Sequence, residues 1–257
     1  MSNKLSMLDP KTQTPENERY YSEIEEYFQH SAGDVLARLR DFPKYVPRQN
    51  LSHFLAKNEI FKEILDVHGH IVECGVFMGG GLLTWAQLSA IYEPYNHVRR
   101  IVGFDTFAGF PSIAQQDKPE QGAEVDFAKV GGLAVQGIEA DIKRATELYD
   151  LNRPIGHIPR IELVKGDASD RIPKYVEENR HLVVALLYLD FDLYEPTLAA
   201  LNAFLPRMPK GAVIAFDELN QKQWPGETLA VLDAIGIKSL RIKRFPFTPQ
   251  ISYAVLE

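Results

Sequence analysis

From residue 70 onward, short runs rich in β-branched and aromatic residues alternate with longer stretches of helical periodicity. That alternation admits few folds, and the simplest is a set of parallel strands joined by helical crossovers. The strand-like runs are 70–74, 100–105, 160–165, 182–190, 211–217, 239–245 and 250–256, and the helical ones are 80–92, 132–149, 170–179, 195–205 and 227–235. Only a Pro-containing turn separates the last two strands, too short for a helical crossover, so they are expected to pair as an antiparallel hairpin. The expected class is α/β, with a mostly parallel seven-stranded sheet ending in that hairpin.

Upstream, residues 1–18 are polar and expected to be loose. Residues 19–40 carry an acidic helical pattern with an apolar packing face of Tyr20, Tyr21, Ile24, Tyr27 and Phe28. A Pro-broken link, Asp41 to Asn50, leads into a second helix, Leu51 to Leu65. The expected division is an N-terminal helical cap, 1–69, and an α/β domain, 70–257. The cap helices either cover the mouth of the sheet or supply a homo-oligomer contact. Between Phe110 and Gly132 lies a polar insertion of little periodicity, the length of a mobile lid.

The first strand runs into its helix through His70-Ile71-Val72-Glu73-Cys74-Gly75-Val76-Phe77-Met78-Gly79-Gly80-Gly81. Glycines there let a backbone approach an adenosine-type ligand at a helix N-terminus. The spacing is not G-x-G-x-x-G, and an acid replaces its first glycine, which argues against a dinucleotide. Glu73 suits a cationic ligand group such as the α-ammonium of S-adenosylmethionine, although a plain strand-turn-helix with a packing glycine reads the same way. In open α/β sheets ligands bind beyond the carboxyl ends of the strands. Five successive strands here end in acids: Glu73, Asp105, Asp167, Asp190 and Asp217. Asp105 is placed for ribose hydroxyls and Asp167 for an adenine amino group; each reads equally as a helix N-cap.

The densest chemistry is Asp190, Asp192, Asp217 and Glu218. Strands four and five are expected to be neighbours, so these acids converge. Two carboxylates 4 Å apart repel by about 4 kcal/mol at an effective dielectric near 20, so such a group binds a cation, shares protons or splays. Oxygen ligands suit Mg²⁺ or another hard divalent ion, and with no His after His181 a zinc-type site is disfavoured. The natural ligands are Asp190, Asp217 and Glu218. Asp192 points to the other side if the strand persists, unless a turn swings it back as a general base. A net charge of −7 argues against nucleic-acid partners, and no apolar run reaches membrane-spanning length, which points to a cytoplasmic chain with no membrane partner. The lone Cys74, in an apolar strand, reads as a small buried hydrophobe.

With these residues the chain resembles the macrocin O-methyltransferase-like family, metal-dependent sugar O-methyltransferases of macrolide and aminocoumarin biosynthesis. The likeness runs from about Pro47 to Trp224 and rests on Glu73-Cys74-Gly75-Val76, Gly103-Phe104-Asp105-Thr106-Phe107, Phe110-Pro111, Gly166-Asp167, Asp190-Phe191-Asp192-Leu193-Tyr194-Glu195, Asp217-Glu218 and Trp224-Pro225-Gly226. It implies a Rossmann-like class I methyltransferase fold for residues 70–257. It also implies S-adenosylmethionine held around Glu73, Cys74, Gly75, Val76, Gly79, Asp105, Thr106, Phe107, Gly166, Asp167, Ala168 and Asp190. Mg²⁺ is implied on Asp190, Asp217 and Glu218, catalytic roles fall to Asp190 and Asp192, and the acceptor is a small-molecule hydroxyl, a sugar's. The chain departs from the family's pattern at Met78, usually Arg, at Glu218, usually Asp, and at Asn220, where some members place His. A catechol-like acceptor offers the same paired oxygens as a sugar diol. A non-catalytic S-adenosylmethionine-binding scaffold is the other alternative.

Overall fold

The computed structural model describes residues 14–119, 121, 123 and 125–257. The expectation for residues 1–13, and the part of the insertion at 120, 122 and 124, lie outside them. The chain divides into two compact units, residues 1–51 and 52–257.

The first unit holds helices α1 (Pro15–His30) and α2 (Val35–Arg40). The Asn17 side chain accepts from the Thr14 amide at the start of α1, and Asp34 caps α2 by accepting from Ala37 N. Tyr45 stacks on Tyr27 and meets Phe28 edge-on, which seals the turn between the helices. No residue of α1 is buried, so the packing face read from its sequence is only partly covered within this unit.

In the second unit the strands are β1 (His70–Cys74), β2 (Ile101–Asp105), β3 (Ile161–Lys165), β4 (Val184–Leu189), β5 (Val213–Phe216), β6 (Lys243–Phe245) and β7 (Thr248–Val255). The helices are α3 (Arg48–Glu63, entering this unit at Ser52), α4 (Gly80–Tyr92), α5 (Ile138–Leu151), α6 (Ala168–Glu178), α7 (Tyr194–Phe204) and α8 (Pro225–Ala234). The sheet has seven strands in the order β3-β2-β1-β4-β5-β7-β6. Strands β1 to β5 pair in parallel, and β7 runs antiparallel to both β5 and β6. This is the expected sheet with its terminal hairpin.

Alternation along each strand splits the core into two layers. Ile71, Ile101, Leu186, Tyr188 and Ala215 face Ala56, Ile60 and Phe61 of α3, Trp85 of α4 and Ile142 of α5. Val72, Val102, Leu187, Leu189 and Phe216 face Ile172 of α6, Phe204 of α7 and Val231 of α8. The order reverses between β1 and β4, and the crevice beyond their carboxyl ends is the topological switch point where such sheets bind ligands.

Boundaries move where local chemistry overrides periodicity. Helix α5 starts at Ile138 rather than 132, after Gly137 in a left-handed conformation. The glycines before it are used elsewhere: Phe110 N donates to Gly132 O and Gly131 N to Phe110 O, closing the base of the insertion. The sixth strand is short, because Ile237–Ser239 forms a 3₁₀ turn. No helix among the described residues is long and apolar enough to cross a membrane.

Candidate active site

The β1–α4 turn is built around close backbone approach. Gly75 has φ +97°, and a Cβ there would lie 1.9 Å from the Asp190 carbonyl oxygen, so only glycine lets the end of β1 lie this close to the end of β4. Asp190 N in turn donates to Cys74 O. Cys74 is fully buried, as its sequence context indicates. Val76 is buried, and Gly79, also left-handed, immediately precedes α4.

Glu73 lies beneath this turn and is 1% exposed. Its Oε1 accepts from Trp85 Nε1 at 3.3 Å, and its Oε2 has no partner. A Cβ on Gly81 would sit 1.9 Å from Oε1, so the third glycine of the triplet makes room for this carboxyl. Burial pushes its pKa up to about 8, against the pull of Lys57 and the Trp85 hydrogen bond.

Asp105 and Asp167 both accept from backbone amides, and only Asp167 caps a helix. Asp105 Oδ2 accepts from Val76 N and Phe77 N, both at 2.8 Å, and Oδ1 from Phe107 N at 2.6 Å. Three backbone donors leave about one of the four acceptor positions of this carboxylate for a ligand. The carboxylate pins the β1–α4 turn to its own, in which Phe107 has φ +54°. The Thr106 hydroxyl donates to Gly109 O and accepts from Ala108 N, completing that turn. Asp167 caps α6 by accepting from Ser169 N. Gly166 N donates to Asp105 O, and Ala168 is buried at the head of α6. The three turns carrying these residues therefore lie side by side.

The acids after β4 and β5 converge. Strand β4 ends at Leu189, and Asp192 then adopts φ +63°, which swings it back. One carboxylate oxygen each from Asp190, Asp192 and Glu218 lies within 4.8 Å of the others. Asp217, the expected third ligand, belongs to the neighbourhood but not to that triad, and its Oδ1 accepts the Tyr188 hydroxyl. Glu218 Oε2 is buried and unpartnered. Burial, and then the Asp217 charge, push Asp190 and Glu218 well above the usual carboxylate range and Asp192 up to about 8. Such a cluster holds protons or takes a cation; its donor set is all oxygen, which fits a hard divalent ion.

Three contributors carry no distinct signal in the sequence. Glu227, fully buried in the first turn of α8, accepts from Glu218 N and leaves Oε2 unpartnered. An acid in a helix's first turn is ordinary, so nothing separates it from others. Asp117, in the insertion, accepts from Tyr194 N at the start of α7. Lys57 of α3 is 7% exposed, and its trace in the sequence is a charge beside apolar helix positions. Trp224 packs on Phe110 and Phe127, with Leu193 in the same cluster. An open cleft of 650 Å³ lined by Glu63, Asp66, His68 and Lys210 lies at the opposite, amino edge of the strands, away from this chemistry.

Comparison with known proteins identifies the fold and the family. The crystal structure of CalS11, a calicheamicin methyltransferase, superposes with a TM-score of 0.89 at 35% identity over 95% of this chain and 93% of that one. The apo structure of CalS11, described as TDP-rhamnose 3'-O-methyltransferase, gives 0.81 at 32% identity over 95% of each chain. The O-methyltransferase NovP shares the fold, with a TM-score of 0.60 at 20% identity over 79% of each chain. No curated protein sequence matches. The family profile described as macrocin-O-methyltransferase (TylF) matches residues 45–231. The chain thus belongs to the macrocin-O-methyltransferase (TylF) family and is an O-methyltransferase.

Proposed function

We propose that this chain transfers the methyl group of S-adenosylmethionine to a hydroxyl of a sugar or glycosylated natural product, with a divalent cation, Mg²⁺ in the first instance, at Asp190, Asp192 and Glu218. The observation that carries the reading is the convergence of those three carboxylates at the switch point, one turn away from the glycine-rich end of β1. The sugar acceptor is supported by the family description and by the rhamnose-modifying activity named for CalS11. The donor is supported by the unpartnered Glu73 Oε2, a buried acceptor suited to an ammonium group.

In the transfer, an acceptor oxygen attacks the sulfonium methyl carbon, the carbon–sulfur bond breaks, and neutral S-adenosylhomocysteine leaves. The protein has to align the oxygen behind the methyl group and receive the hydroxyl proton. Alignment is worth about 7–11 kcal/mol in favourable cases. Bound at the triad, a divalent cation supplies positive charge that makes a neighbouring hydroxyl more acidic. Asp192, returned to the cluster by its left-handed backbone, is the residue assigned to take the proton, on the carboxylate oxygen that does not face the cation. Asp217, whose Oδ1 accepts from Tyr188, supports the site from the side and has its second carboxylate oxygen to offer the cation.

The test separates chemistry from donor binding. Asp190→Asn is expected to lower turnover with a TDP-deoxysugar panel by about 100-fold or more, while S-adenosylhomocysteine affinity stays close to that of the parent. Parallel loss of both would show that the acids only hold the fold together. Chelation with EDTA is expected to stop turnover and Mg²⁺ to restore it; unchanged turnover would remove the cation.

A further inference from the structure

Strand β1 and helix α4 close on a single carboxyl group. Glu73 stands in register with Gly103 of β2 on one side and Tyr188 of β4 on the other, inside the sheet. Gly81 and Trp85 are one turn apart on α4 and share the helix face that meets it. Trp85 Nε1 donates to Glu73 Oε1 at 3.3 Å. A Cβ on Gly81 would lie 1.9 Å from that same oxygen, and its next two neighbours would also be atoms of the Glu73 carboxyl. The indole is itself fixed, fully buried and edge-on to Tyr188 with ring centroids 5.4 Å apart. A buried indole N–H needs an acceptor, so Oε1 is committed to Trp85. Oε2, equally buried, is left without a partner. An unpaired buried acceptor is costly, and a ligand that brings a donor to it removes the cost.

We propose that Trp85 is a positioning residue for the methyl donor: by holding Oε1 in the slot that Gly81 leaves, it reserves Oε2 for the α-ammonium of S-adenosylmethionine. The proposal deepens the reading above and rests on it. Trp85 acts only through Glu73, so its loss is felt at a ligand's amino-acid end and not at its adenosine end. A tryptophan that merely filled the core would, when removed, affect both ends alike or neither.

Calorimetric titrations of S-adenosylhomocysteine and of methylthioadenosine test this, because the second ligand keeps the adenosine thioether and lacks the amino-acid portion. The proteins are the parent, Trp85→Phe, Glu73→Gln and the double variant. In Trp85→Phe, S-adenosylhomocysteine is expected to bind about tenfold weaker, the size of one hydrogen bond to a charged group, and methylthioadenosine as in the parent. In the Glu73→Gln background the same substitution is expected to add no further loss, since an effect routed through the carboxylate disappears with it. Equal weakening of both ligands in Trp85→Phe, a parent-like affinity for S-adenosylhomocysteine, or full additivity of the two substitutions would each overturn the proposal. Should Trp85→Phe not fold, Gly81→Ala crowds the same oxygen from the other side and is expected to weaken S-adenosylhomocysteine alone; any other result there overturns it equally. A parent that binds neither ligand contradicts the donor reading itself. A parent that binds both equally well leaves that reading standing and overturns the part given to Glu73 and Trp85.

Discussion

Glu73 shows what a single buried acid costs and what it is kept for. Its pKa is pushed from 4.5 to about 8, mainly by burial, so the folded chain binds a proton there that the unfolded chain has lost. The sign follows from linkage: below pH 4.5 the site costs nothing, and the penalty grows as pH rises toward 8. Glu73→Gln keeps an oxygen for Trp85 Nε1 and removes the penalty. Its stability advantage over the parent is therefore expected to grow by roughly 2–4 kcal/mol between pH 5 and pH 8, with S-adenosylhomocysteine affinity falling. Denaturant unfolding at the two pH values reads this out; a constant gap would mean that Glu73 is ionised throughout. The sequence showed that an acid ends each of five runs, but not what each acid does. Asp105 and Asp167 were legible as candidates for cofactor contacts, and the backbone amides that also reach both carboxylates were not. Whether an amide or a ligand reaches a carboxylate first depends on turn geometry that residue spacing does not encode.

Among the elements, the insertion after Phe110 is tied down at both flanks. Asp117 accepts from Tyr194 N and from Ala114 N, and Gly226 has no Cβ to obstruct it; one there would lie 2.2 Å from Asp117 Oδ1. This joins the insertion to the N-termini of α7 and α8, the two helices that follow Asp192 and Glu218. Gly226→Ala and Asp117→Ala are both expected to loosen it, seen as faster limited trypsin cleavage after Lys129. Cleavage at the parent's rate would show that the cluster of Phe110, Leu193 and Trp224 holds the insertion alone. Polar composition marked this segment as a lid, and its anchors were missed because its apolar residues, Ile113, Val125 and Phe127, are too sparse to give a period. The helices of the second unit were legible to within a few residues, whereas the helical run expected over 19–40 is two helices, Pro15–His30 and Val35–Arg40. The late start of α5 was not legible, because Gly131 and Gly132 look like part of a helical approach until their backbone groups are seen pairing with Phe110.

For the molecule as a whole, strand order does the most. Placing β1 beside β4, and β4 beside β5, brings Gly75, Asp190, Asp217 and Glu218 to one crevice from positions far apart in the chain. The neighbouring of β4 and β5 and the terminal hairpin could be read from the sequence; the place of β1 beside β4 emerged only with the structure. The membership of the triad could not be read either. It turns on one left-handed residue, Asp192, whose backbone brings its carboxylate within reach of Asp190 and Glu218. The central claim is that those three carboxylates form a cation site beside the donor. Crystals soaked in Mn²⁺ with S-adenosylhomocysteine, and measured for anomalous scattering, test it most directly. A single strong peak among Asp190, Asp192 and Glu218 is the expected result; carboxylates paired with protein donors and no peak between them would contradict it.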